Sequence, residues 1–284
     1  MISNDDIAKV LAAFKTASTY DFSDYCDRSF ARRVDKILTD NKISADLFVK
    51  QLMSDRDFLE KSVRDITVNT TELFRDPQMW LNLRYQVLPR FKDKPTIKIW
   101  HAGCSSGQEI YSMMILLNEL GMFDKAQIFA TDINTAVIEA AQTGTYKYMF
   151  NLNYLDNFDK VMRENPYNFE QKYDVPYEKY FDIDKRKDVI QMNDFLCKKP
   201  VFRKHDLVSG CNPFYHQFDL ILCRNVIIYF NPKLQNKVIN MFANNLSVNG
   251  FLILGASESI LGSANSSFER MVGFYRKKQT ISMF

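Results

Sequence analysis

The feature that most constrains this chain is a change of texture near residue 95. From residue 1 to about 90 there is no glycine and no alternation of apolar and polar positions. Apolar side chains recur there at helical spacing instead: Ile7, Val10, Leu11 and Phe14, then Phe30, Val34 and Ile37, then Phe48, Leu52 and Met53. Residues three and four apart share one face of a helix, so this part reads as helical throughout. Beyond 95, strand-like runs alternate with helical ones: Thr96–Ala102, a helix over Gln108–Leu120, Ala126–Ala130, and a helix over Asn134–Thr143. Such alternation predicts an α/β domain, a parallel sheet with crossover helices. The rhythm breaks between about 146 and 208, a stretch rich in Tyr, Phe, Asn and Lys. Its short runs (Lys179–Ile183, Asp188–Asn193 and Pro200–Lys204) predict small strands of an inserted β-rich element. It resumes with Phe218–Cys223, a helix over Pro232–Leu246, Gly250–Gly255, and two closing strands, Gly273–Arg276 and Thr280–Phe284. The expected organisation is a helical N-terminal domain with its linker over 1–90. An α/β domain over 91–284 follows, with the insert at about 146–208.

Composition removes several function classes. Of 284 residues, 46% are hydrophobic and 25% charged, the balance of a globular chain able to bury a core. A net charge of +3 is too small to argue for nucleic-acid binding, so none is expected. The acidic start lacks a basic-then-apolar leader, and apolar stretches are broken by groups such as Arg224 and Asn225. No run reaches the roughly 20 apolar residues of a membrane span, and a cytoplasmic protein is expected. The five cysteines are odd in number and contain no Cys-x-x-Cys pair, which argues against a disulfide framework. His205, Cys211 and His216 lie near one another in sequence, but their spacing matches no common zinc pattern. No metal is expected.

The most informative segment is Ile97-Lys98-Ile99-Trp100-His101-Ala102-Gly103-Cys104-Ser105-Ser106-Gly107-Gln108-Glu109. A strand runs into a small-residue turn, and the turn into a helix. Gly103 and Gly107 allow a sharp bend and a close approach of backbone to ligand. Asp132 follows at the end of the next strand, where a carboxylate can accept both ribose hydroxyls of an adenosine. The pyrophosphate fingerprint Gly-x-Gly-x-x-Gly is missing, so the ligand need carry no phosphate. S-adenosylmethionine fits that description. On these residues alone, turn and helix-cap roles remain an equal alternative.

Three further segments make the resemblance specific. Val68-Asn69-Thr70-Thr71-Glu72-Leu73-Phe74-Arg75-Asp76 resembles the Thr-x-Asn-x-Thr-x-Phe-Phe-Arg signature of the CheR-type chemotaxis receptor methyltransferases. Ala102 to Ser112 is similar to that family's Gly-Cys-Ser-Thr-Gly-Glu-Glu-Pro-Tyr-Ser. Phe218 to Phe230 resembles Phe-Asp-x-Ile-x-Cys-Arg-Asn-Val-x-Ile-Tyr-Phe almost residue for residue, and Gly255-Ala256-Ser257-Glu258 follows. The resemblance implies a Rossmann-like S-adenosylmethionine-dependent methyltransferase sheet behind a helical domain. It implies methyl transfer to glutamate side chains of methyl-accepting receptors, with S-adenosylhomocysteine as product and a monomeric enzyme. It places Asn69, Thr71 and Arg75 at the mouth of the cofactor pocket, and Glu109 and Asp132 at the methionine and ribose ends. Asp206, Leu207, Arg224 and Asn225 line the adenine side and floor, and Arg75 and Tyr229 flank the transferable methyl. Gln108, Ile110 and Asp206 depart from the family's usual Glu, Pro and Asn.

The chemistry suits these residue types. A glutamate carboxylate, with an ordinary pKa of about 4.3, is already deprotonated at neutral pH and needs no general base. Orientation and exclusion of water remain to be supplied, and Arg75 and Tyr229 can steer a carboxylate by hydrogen bonds. Arg28, Arg32 and Lys36 are spaced four apart on one helix face, with Arg33 beside them. In the family such a basic helix sits against the receptor's cytoplasmic helical bundle. Nearby Asp24, Asp27 and Asp35 fit a solvated face equally. Some family members also grip a C-terminal receptor peptide as an added strand of the insert, beside a glycine-rich turn. Here no glycine occurs between Gly144 and Gly210, and the turn reads Asp182-Ile183-Asp184-Lys185-Arg186-Lys187-Asp188. No peptide tether is expected. The alternatives are a methyltransferase for another protein or small molecule, and a non-catalytic module of the receptor array. The latter would not be expected to keep Arg75, Asp132 and Tyr229.

Overall fold

A computed structural model describes residues 2–279. Four helices come first: α1 (Asn4–Ala17), α2 (Asp27–Asn41), α3 (Ala45–Ser54) and α4 (Arg56–Ile66). Their ends are set locally. Ser3 accepts the Asp6 amide at 3.1 Å, Ser44 accepts Leu47 at 3.2 Å, and Asp55 accepts Asp57 and Phe58 at 2.9 and 3.0 Å. Each bond satisfies an amide that the helix itself leaves unpaired. The apolar stripes read from the sequence close on one another. Val10, Phe14, Phe30, Val34, Phe48, Leu52 and Val63 form one buried cluster with Phe22. Removing a ring such as that of Phe14, fully buried, would cost about 3–5 kcal/mol.

A short helix α5 (Pro77–Asn82), extended by tighter and wider turns to Phe91, leads into the sheet. There follow β1 (Ile97–Ala102), α6 (Gln108–Glu119), β2 (Ala126–Asp132), α7 (Thr135–Thr143) and β3 (Thr145–Lys147). Next come α8 (Leu152–Phe158), β4 (Phe181–Asp184), β5 (Val189–Met192), α9 (Asp194–Cys197) and β6 (Val201–Lys204). The chain continues with β7 (Phe218–Cys223), α10 (Pro232–Asn245), β8 (Leu246–Leu254), β9 (Phe268–Met271) and β10 (Phe274–Lys277). The main sheet has the order β6-β2-β1-β7-β8-β10-β9. Its first five strands are parallel, and β10 and β9 close it antiparallel. β7 is buried at all six positions, as expected of a parallel strand covered on both faces. Alternate residues go to two cores. Ile97, Ile99, Ile128, Leu220 and Leu222 pack under α6, while Trp100, Phe129, Ile221, Cys223 and Leu252 pack with α10.

Among the parallel strands, chain order runs outward from β1 to β2 and β6 on one side and from β7 to β8 on the other. The crevice between β1 and β7, beyond their carboxyl ends, is therefore the switch point where ligands bind in such sheets.

Two strand expectations change. Val201–Lys204, expected among the insert strands, pairs in parallel with β2 and forms the edge of the main sheet. The insert sheet holds β3, β5 and β4, all antiparallel. A four-residue strand with one half-buried and three exposed residues carries no local mark of which sheet it joins. The expected strand Thr280–Phe284 lies outside the described residues, and β10 pairs antiparallel with β8 on one side and β9 on the other.

Candidate functional site

At the switch point a cavity of about 1000 Å³, its open mouth included, is lined from both ends of the chain. Asn69, Thr71, Arg75, Gly103, Glu109, Asp132, Asp206, Leu207, Arg224, Asn225 and Tyr229 all face it. Residues separated by more than 150 positions thus meet at one surface.

The floor begins with the turn after β1. Gly103 has φ +79° and Gly107 φ +92°, conformations that side chains rarely adopt. Between them Ser105 stands at φ +49°, held there by its amide donating to Asp132 Oδ2 at 2.8 Å. Asp132 Oδ1 accepts the Asn134 amide at 3.0 Å. Two backbone bonds thereby fix the plane of this buried carboxylate, and each oxygen retains a lone pair for a hydroxyl. Burial raises the Asp132 pKa, a cost that the backbone bonds at Asn134 and Ser105 reduce.

Glu109, at the start of α6, behaves in the opposite way. Burial pushes its carboxyl up, but His101 and Arg224 outweigh this and hold it below the usual range. His101 Nδ1 lies 2.8 Å from Oε1, and Arg224 Nη1 donates to Oε2 at 3.1 Å. The Arg224 side chain is only 3% exposed, and its Nη2 also donates to Asp76 Oδ2 at 2.7 Å and to the Arg75 carbonyl at 2.9 Å. One buried guanidinium therefore ties β7 to α6 and to the 68–76 segment.

That segment is clamped by partners from elsewhere. The Phe74 amide donates to Ser112 Oγ at 2.7 Å, the Trp80 indole to the Arg75 carbonyl at 3.0 Å, and the Tyr154 hydroxyl to the Thr71 carbonyl at 3.0 Å. Phe74 and Asp76 both hold positive φ, of 51° and 58°. Non-glycine residues there cost of order 1–3 kcal/mol each and persist only where surroundings enforce them. The Arg75 guanidinium makes one bond, to the Thr70 carbonyl at 3.2 Å, and no ion pair among the described residues. Asp76, a natural partner for it by sequence, is taken by Arg224. Asn69 donates to the carbonyls of Arg64 and Thr67 at 3.4 and 3.3 Å, closing the end of α4.

On the remaining wall, Asp206 accepts the Val208 amide at 2.9 Å. Burial lifts its pKa to about 6. His205 beside it is buried, its pKa lowered by that burial, with Nε2 3.2 Å from Ser209 Oγ. Leu207 is packed into the core behind the wall. Tyr229 faces the cavity, its carbonyl accepting the Cys26 amide at 2.8 Å.

Several lining residues were not read from the sequence. Tyr25, Ser29 and Phe30 reach the cavity from the first helical segment, and His205 from the stretch after β6. No motif marks them: packing of the helical segment against the Tyr229–Asn231 turn brings the first three there, and the His205 amide, donating to the Asp132 carbonyl, brings the last. The Ser105 Oγ, His205 Nδ1 and Arg224 Nε atoms of these lining residues are buried with no partner among the described residues. Such atoms are ready for a polar ligand.

The basic helix face divides. Arg28, Arg32 and Lys36 are exposed on α2, whereas Arg33 is half-buried with its Nε inside the protein. Lys36 pairs with Asp40 at 2.7 Å, and Arg28 and Arg32 make no ion pair among the described residues. Ser29 and Phe30 of the same helix line the cavity. No group of three His, Cys, Asp or Glu is placed to hold a metal ion, and no helix is long and apolar enough to cross a membrane, among the described residues.

Comparison with known proteins agrees with this geometry. The family model "CheR methyltransferase, SAM binding domain" matches residues 69–160 and 167–275, where SAM is S-adenosylmethionine. A Pseudomonas putida protein named as a methyltransferase, Cher3, is 32% identical over 269 residues, covering 94% of this chain and 93% of that one. A chemotaxis protein methyltransferase of Borreliella burgdorferi is 31% identical, covering 82% of this chain and 83% of its own. One of Listeria monocytogenes is 30% identical and covers 90% of each chain. The switch-point cavity lies inside the matched region for all its lining except the residues before Asn69, and the chain belongs to the CheR methyltransferase family, with that family's SAM-binding domain.

Proposed function

We propose that this protein transfers methyl from S-adenosylmethionine to glutamate side-chain carboxylates of chemotaxis receptors, forming methyl esters. The observation that carries the reading is Arg75. Its guanidinium faces the cavity without a carboxylate partner among the described residues, although Asp76 adjoins it and Glu72 stands three positions before it.

The cofactor, when bound, supplies an electrophilic methyl group on a sulfonium. The residues present fit it: Asp132 has both carboxylate oxygens fixed by backbone amides, and Ser105 and Arg224, which line the same cavity, each keep a buried polar atom without a partner among the described residues. Glu109, held anionic between His101 and Arg224, offers a negative end for the methionine ammonium. Asp206 and Leu207 border the adenine side. Arg75 receives the acceptor carboxylate through charge-assisted hydrogen bonds, and Tyr229 fixes its orientation from the opposite side. The acceptor arrives without a proton to remove, so alignment of oxygen with methyl and displacement of water are the work left to the protein.

The partner in this reading is the cytoplasmic helical domain of the receptor, met in the cytoplasm by a monomeric enzyme. The exposed ridge of Arg28, Arg32 and Lys36 docks on acidic positions of that bundle, while Ser29 and Phe30 of the same helix border the cavity. Docking needs no C-terminal peptide tether. The turn between β4 and β5 is closed on itself, Asp184 accepting the amides of Arg186 and Lys187 at 3.0 Å each.

Incubation with cofactor labelled in the methyl group and membranes carrying a receptor of the same organism tests the proposal. Label on the receptor that is released by mild base identifies a carboxyl ester. Base-stable label would reverse the assignment toward an acceptor that must lose a proton, a task for which neutral His205 is placed on the cavity wall.

A further inference from the structure

Glu258 lies outside the cavity lining, yet its carboxylate gathers the loop on which Asn225 and Tyr229 depend. Oε2 accepts the amide of Asn225 at 2.8 Å and that of Gly255 at 2.7 Å, and Oε1 accepts Ile228 at 3.1 Å. Its own amide donates to the Gly255 carbonyl at 2.9 Å, which closes the turn and points the side chain inward. Asn225 takes φ +59°, a strained value for a residue with a side chain, and its amide is one that Glu258 accepts. Gly255 leaves room for the arrangement. A Cβ there would meet Glu258 Oε2 at 2.8 Å and the Asn225 amide nitrogen at 2.9 Å.

We propose that Glu258 is a positioning residue, which sets Asn225 and Tyr229 against the cavity by holding the 225–228 turn from behind. The proposal rests on the reading of Tyr229 given above. A buried carboxylate that accepts three amides cannot be replaced by an amide side chain, since the nitrogen of glutamine would face N–H groups. The far end of the same loop is held separately, by the Cys26 amide on the Tyr229 carbonyl. Loss of Glu258 therefore frees the loop locally rather than detaching it.

The test compares Glu258→Gln, Glu258→Asp, Tyr229→Phe and the double variant Glu258→Gln/Tyr229→Phe, by turnover at saturating cofactor and by cofactor Kd. Glu258→Gln should cut turnover at saturating cofactor about tenfold or more and weaken cofactor binding by a smaller factor, since Asn225 borders the cofactor space and Tyr229 the acceptor, with partial rescue of both by Glu258→Asp. The double variant should lose little beyond the worse single, because both changes act on one element. Wild-type turnover in Glu258→Gln, or losses that multiply in the double variant, would overturn the proposal. Full turnover in Tyr229→Phe alone would instead sink the reading of Tyr229. Should Glu258→Gln fail to fold, Gly255→Ala disturbs the same anchor from the other side and is expected to show the same split.

Discussion

The floor of the cavity and its mouth are held in different ways. On the floor, Ser105, Asp132 and Arg224 are buried, and Asp132, Glu109 and Arg224 each carry two or more bonds to fixed partners. At the mouth, Asn69, Thr71, Arg75 and Tyr229 are partly exposed, and the Arg75 guanidinium has a single bond to a carbonyl. A floor fixed in advance suits a small ligand of constant shape, since its polar groups need no rearrangement on binding. A loosely tied mouth suits a side chain arriving from another protein. Even the two buried carboxylates of the floor differ: burial dominates at Asp132, whereas His101 and Arg224 dominate at Glu109.

The strongest way to break this contrast is Arg224→Ala. Removing a buried guanidinium leaves Glu109 and Asp76 without their partner, and the protein should lose about 3–5 kcal/mol of stability. Thermal or denaturant unfolding measures this, and an unchanged midpoint would mean that the floor is not held by this residue. A mouth substitution should do the reverse. Arg75→Ala should leave the melting temperature nearly unchanged while reducing turnover at saturating cofactor by about ten- to a hundredfold. Equal losses in cofactor affinity and turnover would move Arg75 to the cofactor.

Asp132→Ala sharpens the floor assignment, because the ribose contacts proposed for this carboxylate would be lost. Cofactor binding should weaken by about 1–3 kcal/mol in calorimetry, with the acceptor KM unaffected. Smaller still is the effect of the docking ridge. Reversing Arg28 and Arg32 to Glu should raise the receptor KM several-fold, and the wild-type KM should itself rise with salt. Cofactor affinity should stay constant. An unchanged receptor KM would return this ridge to an ordinary solvated face.

The last prediction uses pH. The Asp206 pKa is raised in the folded protein, to about 6, above its unfolded value near 3.9. The folded state therefore binds the proton more tightly, and the stability this contributes is full below pH 4 and lost as pH rises through 6. Asp206→Asn removes the titration. Its melting temperature should gain on the wild type across pH 4 to 6 and keep that gain at pH 7.5. A difference that does not change over this window would contradict the burial of the carboxylate.

Much of this was legible in the sequence because it is local. Strand β7 ran as read, Phe218–Cys223, since an unbroken apolar run has one reading in a parallel sheet. The turn from Gly103 to Gly107 was recognisable because its conformation needs residues without side chains at set positions. Helix spacing likewise named the buried stripe of Phe30, Val34 and Ile37. Arg33 escaped that logic: it neighbours the exposed ridge in sequence, yet one step around the helix carries it inward.

By itself the sequence determined the α/β rhythm, the helical beginning, the glycine turn after β1 and the motifs of the family. Each is encoded within about a dozen residues, where backbone geometry and side-chain spacing act directly. Only the tertiary structure decided that β6 completes the main sheet, that Tyr25 and His205 line the cavity, and that Asp76 pairs with Arg224 rather than Arg75. It alone decided that Glu258 holds Asn225 from 33 positions away. These contacts depend on which surfaces meet when separate elements bury their apolar faces, and no local pattern carries that information.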